Sequence, residues 1–398
     1  MVLSALHYSQ LSQRMEGPDD GVWRIHSDAL ARQNAGEDVV LMSVGDPDFA
    51  TPEDIIETLV AQIRAGRTHY SPAAGELTLR EAIAELETSG TGRSFSAENF
   101  VVLPGATASI YASLACICDP GDEVIIPEPM YIGYRAMLSA LGIHAIPLPL
   151  DLANECALDV DTVLGLITER TRAVLINTPG NPFGNIVPKA VLSRLAAELL
   201  TRNLWLICDE VYSLFTFDEP HISLLKCAAG LDNVIVVDGL SKSHAMTGWR
   251  IGWVAAPAEM TAALTAYCGS AFFGCSQFIQ DAAAYALRNN GPHVDRMCEA
   301  YRERRDFVIN RLDELPQLSY IRPKAGMFIM VDVNRVCNDG GVFAQDLLDQ
   351  QMVSVIPGSG FGEIAAPYVR LSLTHTLDVL DKAMDRIAAF VSGTARQH

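Results

Sequence analysis

Positive charge is scarce in this chain of 398 residues: 29 lysines and arginines face 48 aspartates and glutamates, a formal charge of −19. A chain so acidic opposes nucleic acid and anionic membranes, which bind through clustered basic residues. Long apolar runs are missing as well. Although 49% of the residues are hydrophobic and 19% charged, no stretch reaches the ~18 apolar residues that a membrane-spanning helix requires. The first residues, MVLSALHYSQLSQRMEG, have neither a basic start nor an apolar stretch long enough for a secretory leader, so a cytoplasmic location is expected. Paired cysteine spacing is the third absence. The nine cysteines (Cys116, Cys118, Cys156, Cys208, Cys227, Cys268, Cys275, Cys298, Cys337) are odd in number and scattered through apolar segments, without the spacing of a zinc site. They read as reduced, buried small hydrophobes. Cys116 and Cys118 would face opposite ways on a helix, and no metal is expected. Repeats, linkers and low-complexity segments are also lacking. The length suits two domains, or one large domain with a smaller one built on it.

What the chain does contain is concentrated in Gly239–Gly252, GLSKSHAMTGWRIG. Lys242 follows the apolar run Val234–Val237 and a Gly/Ser turn, so it sits where a strand ends, the usual ligand position of open α/β sheets. An amine held there can form a Schiff base with an aldehyde. Arg250, eight residues on, has a planar donor fork suited to a pair of phosphate oxygens. Gly248 and Gly252 are expected to let backbone approach on either side. Lysine for an aldehyde and arginine for a phosphate together point to pyridoxal 5′-phosphate.

By spacing, this stretch resembles the lysine signature of the class I and II aminotransferases, the fold-type-I enzymes that use that cofactor. Further segments carry the resemblance over residues 20 to 392. It implies an α/β fold with a mostly parallel sheet sandwiched by helices in a large domain, residues 46–290. A smaller α+β domain, 291–398, would be completed by an N-terminal arm in residues 1–45. A helix around Val22 to Ala35 shows no chemistry. In the next turn, Gly45, Asp46, Pro47 and Asp48 lead to Thr51, read as the N-cap of a helix over 52–65, with Asp54 reaching back. In the family the glycine backbone, here Gly45, meets the substrate carboxylate, and the tyrosine of THY, here Tyr70, reaches across a dimer interface to the partner's cofactor phosphate.

The run Val101–Leu103 enters Pro104, Gly105, Ala106 and Thr107 and then a helix over 107–117, whose first N–H groups and Thr107 hydroxyl would receive the phosphate. After PGDEVIIPEP, in which Pro129 could follow a cis bond, Tyr131 takes the family's place for the ring stacked on the pyridine face, while Tyr134 could equally be core. VLINTPGNPFG, 174–184, resembles the family's NxPxNPxG element; it brings Asn177 and Asn181 to a strand end, with the Asn181 amide donating to the 3′-oxygen. In LWLICDEVY, Asp209 lies past an apolar run, where a carboxylate is costly unless paired, and a protonated pyridine nitrogen would pair it; Tyr212 joins Asn181 on the 3′-oxygen. Ser241, beside Lys242, completes the expected cofactor contacts. These elements are read as successive strand ends of a parallel sheet. In the C-terminal part, a long helix over Val294 to Leu315 precedes RPKAGMFIMVDV, read as an edge or antiparallel strand. Arg370 in YVRLSL would grip the substrate α-carboxylate, ahead of a last helix over Thr376 to Val391.

The resemblance thus implies an amino acid and a 2-oxo acid as substrates, with Lys242 as the catalytic base, in a homodimer. Bacterial aspartate transaminases often carry a lysine at the position of Thr107, and its absence speaks against aspartate. The wording SKSHAMTGWR, THY, EPMY, FIQDAA and GMFIMVD is most similar to arginine–pyruvate transaminases, which favours a basic or neutral donor with pyruvate as acceptor. One departure stands out: Gly239 replaces a serine of that group and would remove one phosphate hydroxyl. An aspartate/alanine-type transaminase and a same-fold lyase or oxidase remain the alternatives. A non-catalytic regulator would need a fused DNA-binding domain, which a chain that starts in the arm is expected to lack.

Overall fold

A computed structural model describes residues 7–15, 22–289 and 291–394. Parts of the leader reading and of the N-terminal arm therefore lie outside the described residues. Seven strands form the main sheet: β1 (Phe100–Leu103), β2 (Glu123–Glu128), β3 (His144–Pro149), β4 (Thr171–Asn177), β5 (Trp205–Asp209), β6 (Val234–Gly239) and β7 (Gly252–Ala255). Their order is β1-β7-β6-β5-β4-β2-β3. All neighbouring pairs are parallel except those of β7, which runs antiparallel to both β1 and β6. This is the expected mostly parallel sheet between helices, with one strand reversed.

The uninterrupted apolar runs of the central strands follow from burial on both faces. Because successive side chains point to opposite faces, Val174 and Ile176, Leu206 and Cys208, and Val234 and Val236 pack in one layer. Ala173, Leu175, Ile207, Ile235 and Val237 pack in the other. A third core gathers Ile25, Ala29, Val40 and Met42 with Tyr301, Val308, Leu347, Val369 and Ile387. It includes a second sheet of β8 (Ser319–Ile321), β9 (Phe328–Asp332), β10 (Ile356–Pro357) and β11 (Tyr368–Ser372), in the order β10-β11-β9-β8 and antiparallel throughout. Of the two readings of Phe328–Asp332 the antiparallel one holds, and the strand is interior, not an edge, with neighbours on both sides that cover its four buried apolar residues.

Helix limits lie close to those expected: Val22–Asn34, Glu53–Arg64, Ala106–Ile117, Pro292–Asp313 and Leu377–Thr394. Thr51, however, does not cap its helix; the capping position is Pro52 and has no side-chain bond. The Thr51 hydroxyl instead donates to the Ala245 carbonyl at 2.7 Å and accepts from the Trp249 indole at 3.1 Å. A tie between the first turn and the lysine loop has displaced a local cap. Asp54 does not reach back either, but accepts from the Ile55 N–H. Cys118 lies just past its helix in extended backbone, and of the nine cysteines four are buried and five half-buried. The Glu128–Pro129 bond is cis, as is Thr178–Pro179. Among the described residues no helix is long and apolar enough to cross a membrane, and no group of His, Cys, Asp and Glu side chains is placed to hold a metal ion.

Candidate active site

The carboxyl ends of β4, β5 and β6 open into a cavity of about 390 Å³, within the range of small-molecule sites. Gly45, Ala106, Thr107, Tyr131, Asn181, Asp209, Tyr212, Ser241, Lys242, Arg250 and Arg370 all line it. Two expected residues do not. Gly105 stands behind the wall, and Tyr70 is 82% exposed, its ring against Phe273.

Lys242 follows the end of β6, and its ammonium donates to the Gly45 carbonyl at 2.7 Å. Burial lowers its pKa to about 8; Asp46 opposes the shift, while Arg370 and Arg250 add to it. A neutral amine is therefore accessible near physiological pH, as a general base requires. Gly45 cannot carry a side chain here, since a Cβ would lie 2.1 Å from the Phe328 ring.

Asp209 ends β5 and is 5% exposed. Its Oδ2 accepts from the Tyr134 hydroxyl at 2.6 Å, and its Oδ1 accepts a longer bond, 3.3 Å, from the Val211 N–H. Burial raises its pKa to about 6 despite these donors. Tyr134 is therefore core and also the residue that orients this carboxylate. Asn177 fastens the neighbouring strand end: its amide donates to the Asp209 carbonyl at 2.9 Å, and its oxygen accepts the Asn181 N–H at 2.7 Å.

Arg370, 4% exposed on β11, donates to the Asn181 side-chain oxygen at 2.9 Å and to the Ser43 carbonyl at 2.8 Å. Its guanidinium lies 3.9 Å from the Phe328 ring centroid and 4.9 Å from that of Phe361, and its Nε has no partner among the described residues. Burial lowers its pKa to about 10, which leaves it charged. Because Asn181 presents its oxygen to Arg370, its amide N–H₂ is left to donate elsewhere. Tyr212, 5% exposed, packs edge-on to Phe328, and burial raises its pKa.

Arg250 precedes the antiparallel β7 and so is not at a parallel strand end as expected. Its left-handed backbone (φ 52°) is uncommon for a residue with a side chain. Its guanidinium donates to the carbonyls of Thr247 at 2.8 Å and Pro104 at 3.3 Å. Gly105, at φ +85°, is needed beside it, since a Cβ would lie 2.8 Å from the Arg250 fork; at Gly252 a Cβ would lie 2.9 Å from the Ala106 nitrogen and crowd the helix N-terminus. Gly248 has no such neighbour. At Gly239 a Cβ would lie 2.8 Å from the Ile251 carbonyl, and the residue lines a separate cavity.

Sequence reasoning missed Trp23, Phe328, Thr247 and Tyr134. The first three line the cavity. Trp23 lies in a helix that had shown no chemistry.

A seven-stranded, mostly parallel sheet with a lysine at its strand ends, flanked by a buried carboxylate and two arginines, defines an α/β transferase of fold type I. The chain belongs to the class I and II aminotransferases, whose family model matches residues 37–387. It is 43% identical over 383 residues to the arginine–pyruvate transaminase AruH of Pseudomonas aeruginosa, covering 96% of this chain and 98% of that one. The aspartate aminotransferase of Pyrococcus horikoshii is 32% identical over 365 residues, 91% of this chain and 93% of its own. A solved single mutant of the Thermus thermophilus aspartate aminotransferase superposes with a TM-score of 0.91 at 31% identity, over 96% of this chain and 99% of its own.

Proposed function

We propose that this aminotransferase uses pyridoxal 5′-phosphate to move the amino group of arginine or a neutral amino acid to a 2-oxo acid such as pyruvate. One observation carries the cofactor assignment. Asp209, Arg250 and Arg370 surround Lys242 in one cavity, yet each meets only neutral partners: a tyrosine hydroxyl and an N–H for Asp209, carbonyls for Arg250, an amide and a carbonyl for Arg370. Buried charges without counter-ions are costly, as those of Asp209 and Arg370 are here, and with the exposed Arg250 this set is complementary to a pyridinium nitrogen, a phosphate and an α-carboxylate. The residues present fit the cofactor.

When bound, pyridoxal 5′-phosphate supplies an aldehyde carbon for the amino group and a ring that draws electrons from the donor's α-carbon. The protein's part is to hold groups in place and move a proton. The N–H groups of Ala106 and Thr107, at the start of a twelve-residue helix, would hold the phosphate with Arg250 and Ser241. Asp209, fixed by Tyr134, would hold a proton on the ring nitrogen, and Asn181 and Tyr212 would donate to the ring oxygen, beside Tyr131. Arg370 would hold the donor's carboxylate near the Gly45 backbone. Lys242, released as a neutral amine, would take the proton from the donor's α-carbon. In this division of labour the cofactor belongs to the 46–290 unit and the carboxylate grip to the 291–398 unit with residues 1–45.

Arginine and pyruvate are favoured by the 43% identity to an arginine–pyruvate transaminase and by Thr107 in place of a lysine. We place the enzyme in the cytoplasm, where its free cysteines stay reduced. We also infer a homodimer in which Tyr70 serves the partner's site. The test is an absorbance scan of purified, cofactor-loaded protein against twenty amino acids, with assay of the oxo acids formed. A spectrum that changes with arginine and reverts with pyruvate is expected. A protein that stays colourless after reconstitution would overturn the cofactor assignment.

A further inference from the structure

Trp23 has no role in the chemistry above, yet it lines the cavity with 48% of its surface exposed. It opens the helix Val22–Asn34. Among the described residues its one ring contact is edge-on to His26, at 6.0 Å between centroids, and the residue is absent from the three buried core clusters. The same helix is tied to the carboxylate grip. The His26 ring bonds the Ser43 hydroxyl at 2.8 Å, and the Ser43 carbonyl accepts from Arg370 at 2.8 Å. Arg370 and Trp23 line the same cavity, so a donor held by Arg370 would share that space with the indole.

The chemistry of that space is selective. Elsewhere on the cavity lining are the apolar side chains Val44, Ile132, Met137 and Val211. Among the described residues the cavity's three cations, Lys242, Arg250 and Arg370, already have proposed tasks, so none of these three is left to read a second carboxylate. A flat, exposed indole is the best of the aromatic faces for a cation, and a guanidinium is planar and weakly hydrated, so it stacks well.

Resting on the aminotransferase reading, we propose that Trp23 reads the donor's side chain, its indole face stacking on a planar cationic end group of the guanidinium class. The experiment compares cofactor-loaded wild type with Trp23→Ala and Trp23→Phe, using arginine and alanine as donors. Alanine carries the same α-carboxylate but has no guanidinium to stack on the indole. The ratio of kcat/KM for arginine to that for alanine should fall roughly three- to thirty-fold in Trp23→Ala, mainly through KM, and recover to within about threefold of wild type in Trp23→Phe. Equal losses for both donors, or an unchanged ratio, would overturn the inference. Wild type active on alanine but not on arginine would overturn it too, and leave the aminotransferase reading intact. Wild type inactive on every donor would overturn both.

Discussion

Asp209→Asn should make the cofactor-free protein more stable and the loaded protein less capable. Burial raises the Asp209 carboxyl from 3.8 to about 6, a difference worth ~3 kcal/mol between its protonation states. The sign follows from proton binding. The folded state holds this proton more tightly than the unfolded chain does, so the contribution is favourable only below 3.8 and is lost as pH rises to about 6. At pH 8 the ionised carboxylate is therefore a liability of ~3 kcal/mol. Asparagine has nearly the same shape, can still accept from Tyr134, and sets aside that cost, less a fraction for its poorer fit to the Val211 N–H. Urea unfolding of the cofactor-free proteins should show the variant more stable by ~1 to 3 kcal/mol at pH 8, with the gap roughly halved by pH 5. Saturating cofactor should reverse the order, because only the carboxylate gains an ion pair. If cofactor-free wild type matched or exceeded the variant at pH 8, the reading of Asp209 as a charge held for a ligand would be wrong.

Four other outcomes follow from the proposed roles. Lys242→Ala should abolish amino transfer while part of the cofactor stays bound through Arg250 and the helix N-terminus. In wild type the rate of cofactor capture should rise with pH through about 8 as the buried amine loses its proton, and stopped-flow absorbance across pH 6.5 to 9 would check this. Arg370→Lys replaces a two-pronged grip by a point charge and loses charge-assisted bonds worth ~1.5 to 3 kcal/mol each; kcat/KM should fall tenfold or more by about the same factor for arginine, alanine and aspartate. A loss confined to dicarboxylate donors would make Arg370 a side-chain reader instead. Tyr70→Phe should weaken cofactor binding while sedimentation still shows a dimer; an active monomer in the same experiment would remove Tyr70 from the site.

The lysine loop was legible in the sequence because its chemistry is local. Lys242, Ser241 and Arg250 sit within ten residues, and the glycines needed for close approach, Gly105 and Gly252, are marked by residue type. The buried strands were equally plain, since runs such as Ala173–Ile176 fit a sheet covered on both faces. What stayed hidden depends on contacts between distant segments. Thr51 has the composition of a cap but serves the Ala245 and Trp249 backbone and indole nearly two hundred residues away. Tyr134 cannot be told from core by pattern, because it is core as well as the Asp209 donor. Phe328 reads as one apolar residue in a strand, yet its ring sets both the need for glycine at position 45 and the surface on which Arg370 lies. The reversal of β7 had one available sign: residues 240–251 contain no α-helix, and parallel neighbours are usually joined through one.

The net charge of −19 at first argues against the ligands proposed for this site, since pyridoxal 5′-phosphate, amino-acid carboxylates and 2-oxo acids are all anionic at the groups the protein would grip. The cavity answers that objection locally. It gathers Lys242, Arg250 and Arg370 on one lining, opposed by two carboxylates, Asp46 and Asp209, one of which is already hydrogen-bonded to Thr247 at 2.7 Å. The lining thus carries three cations against two carboxylates, so an anion that meets repulsion over the surface meets a net positive cleft, where low-dielectric walls strengthen the attraction. The same arrangement assigns a different cost to each charge. Arg250 is exposed and shares its field with water, whereas Arg370 and Asp209 are buried and forgo most of their hydration. Selectivity among donors then cannot come from the α-carboxylate, which every amino acid brings. It has to come from the rest of the lining, to which Trp23, Val44, Ile132 and Met137 belong.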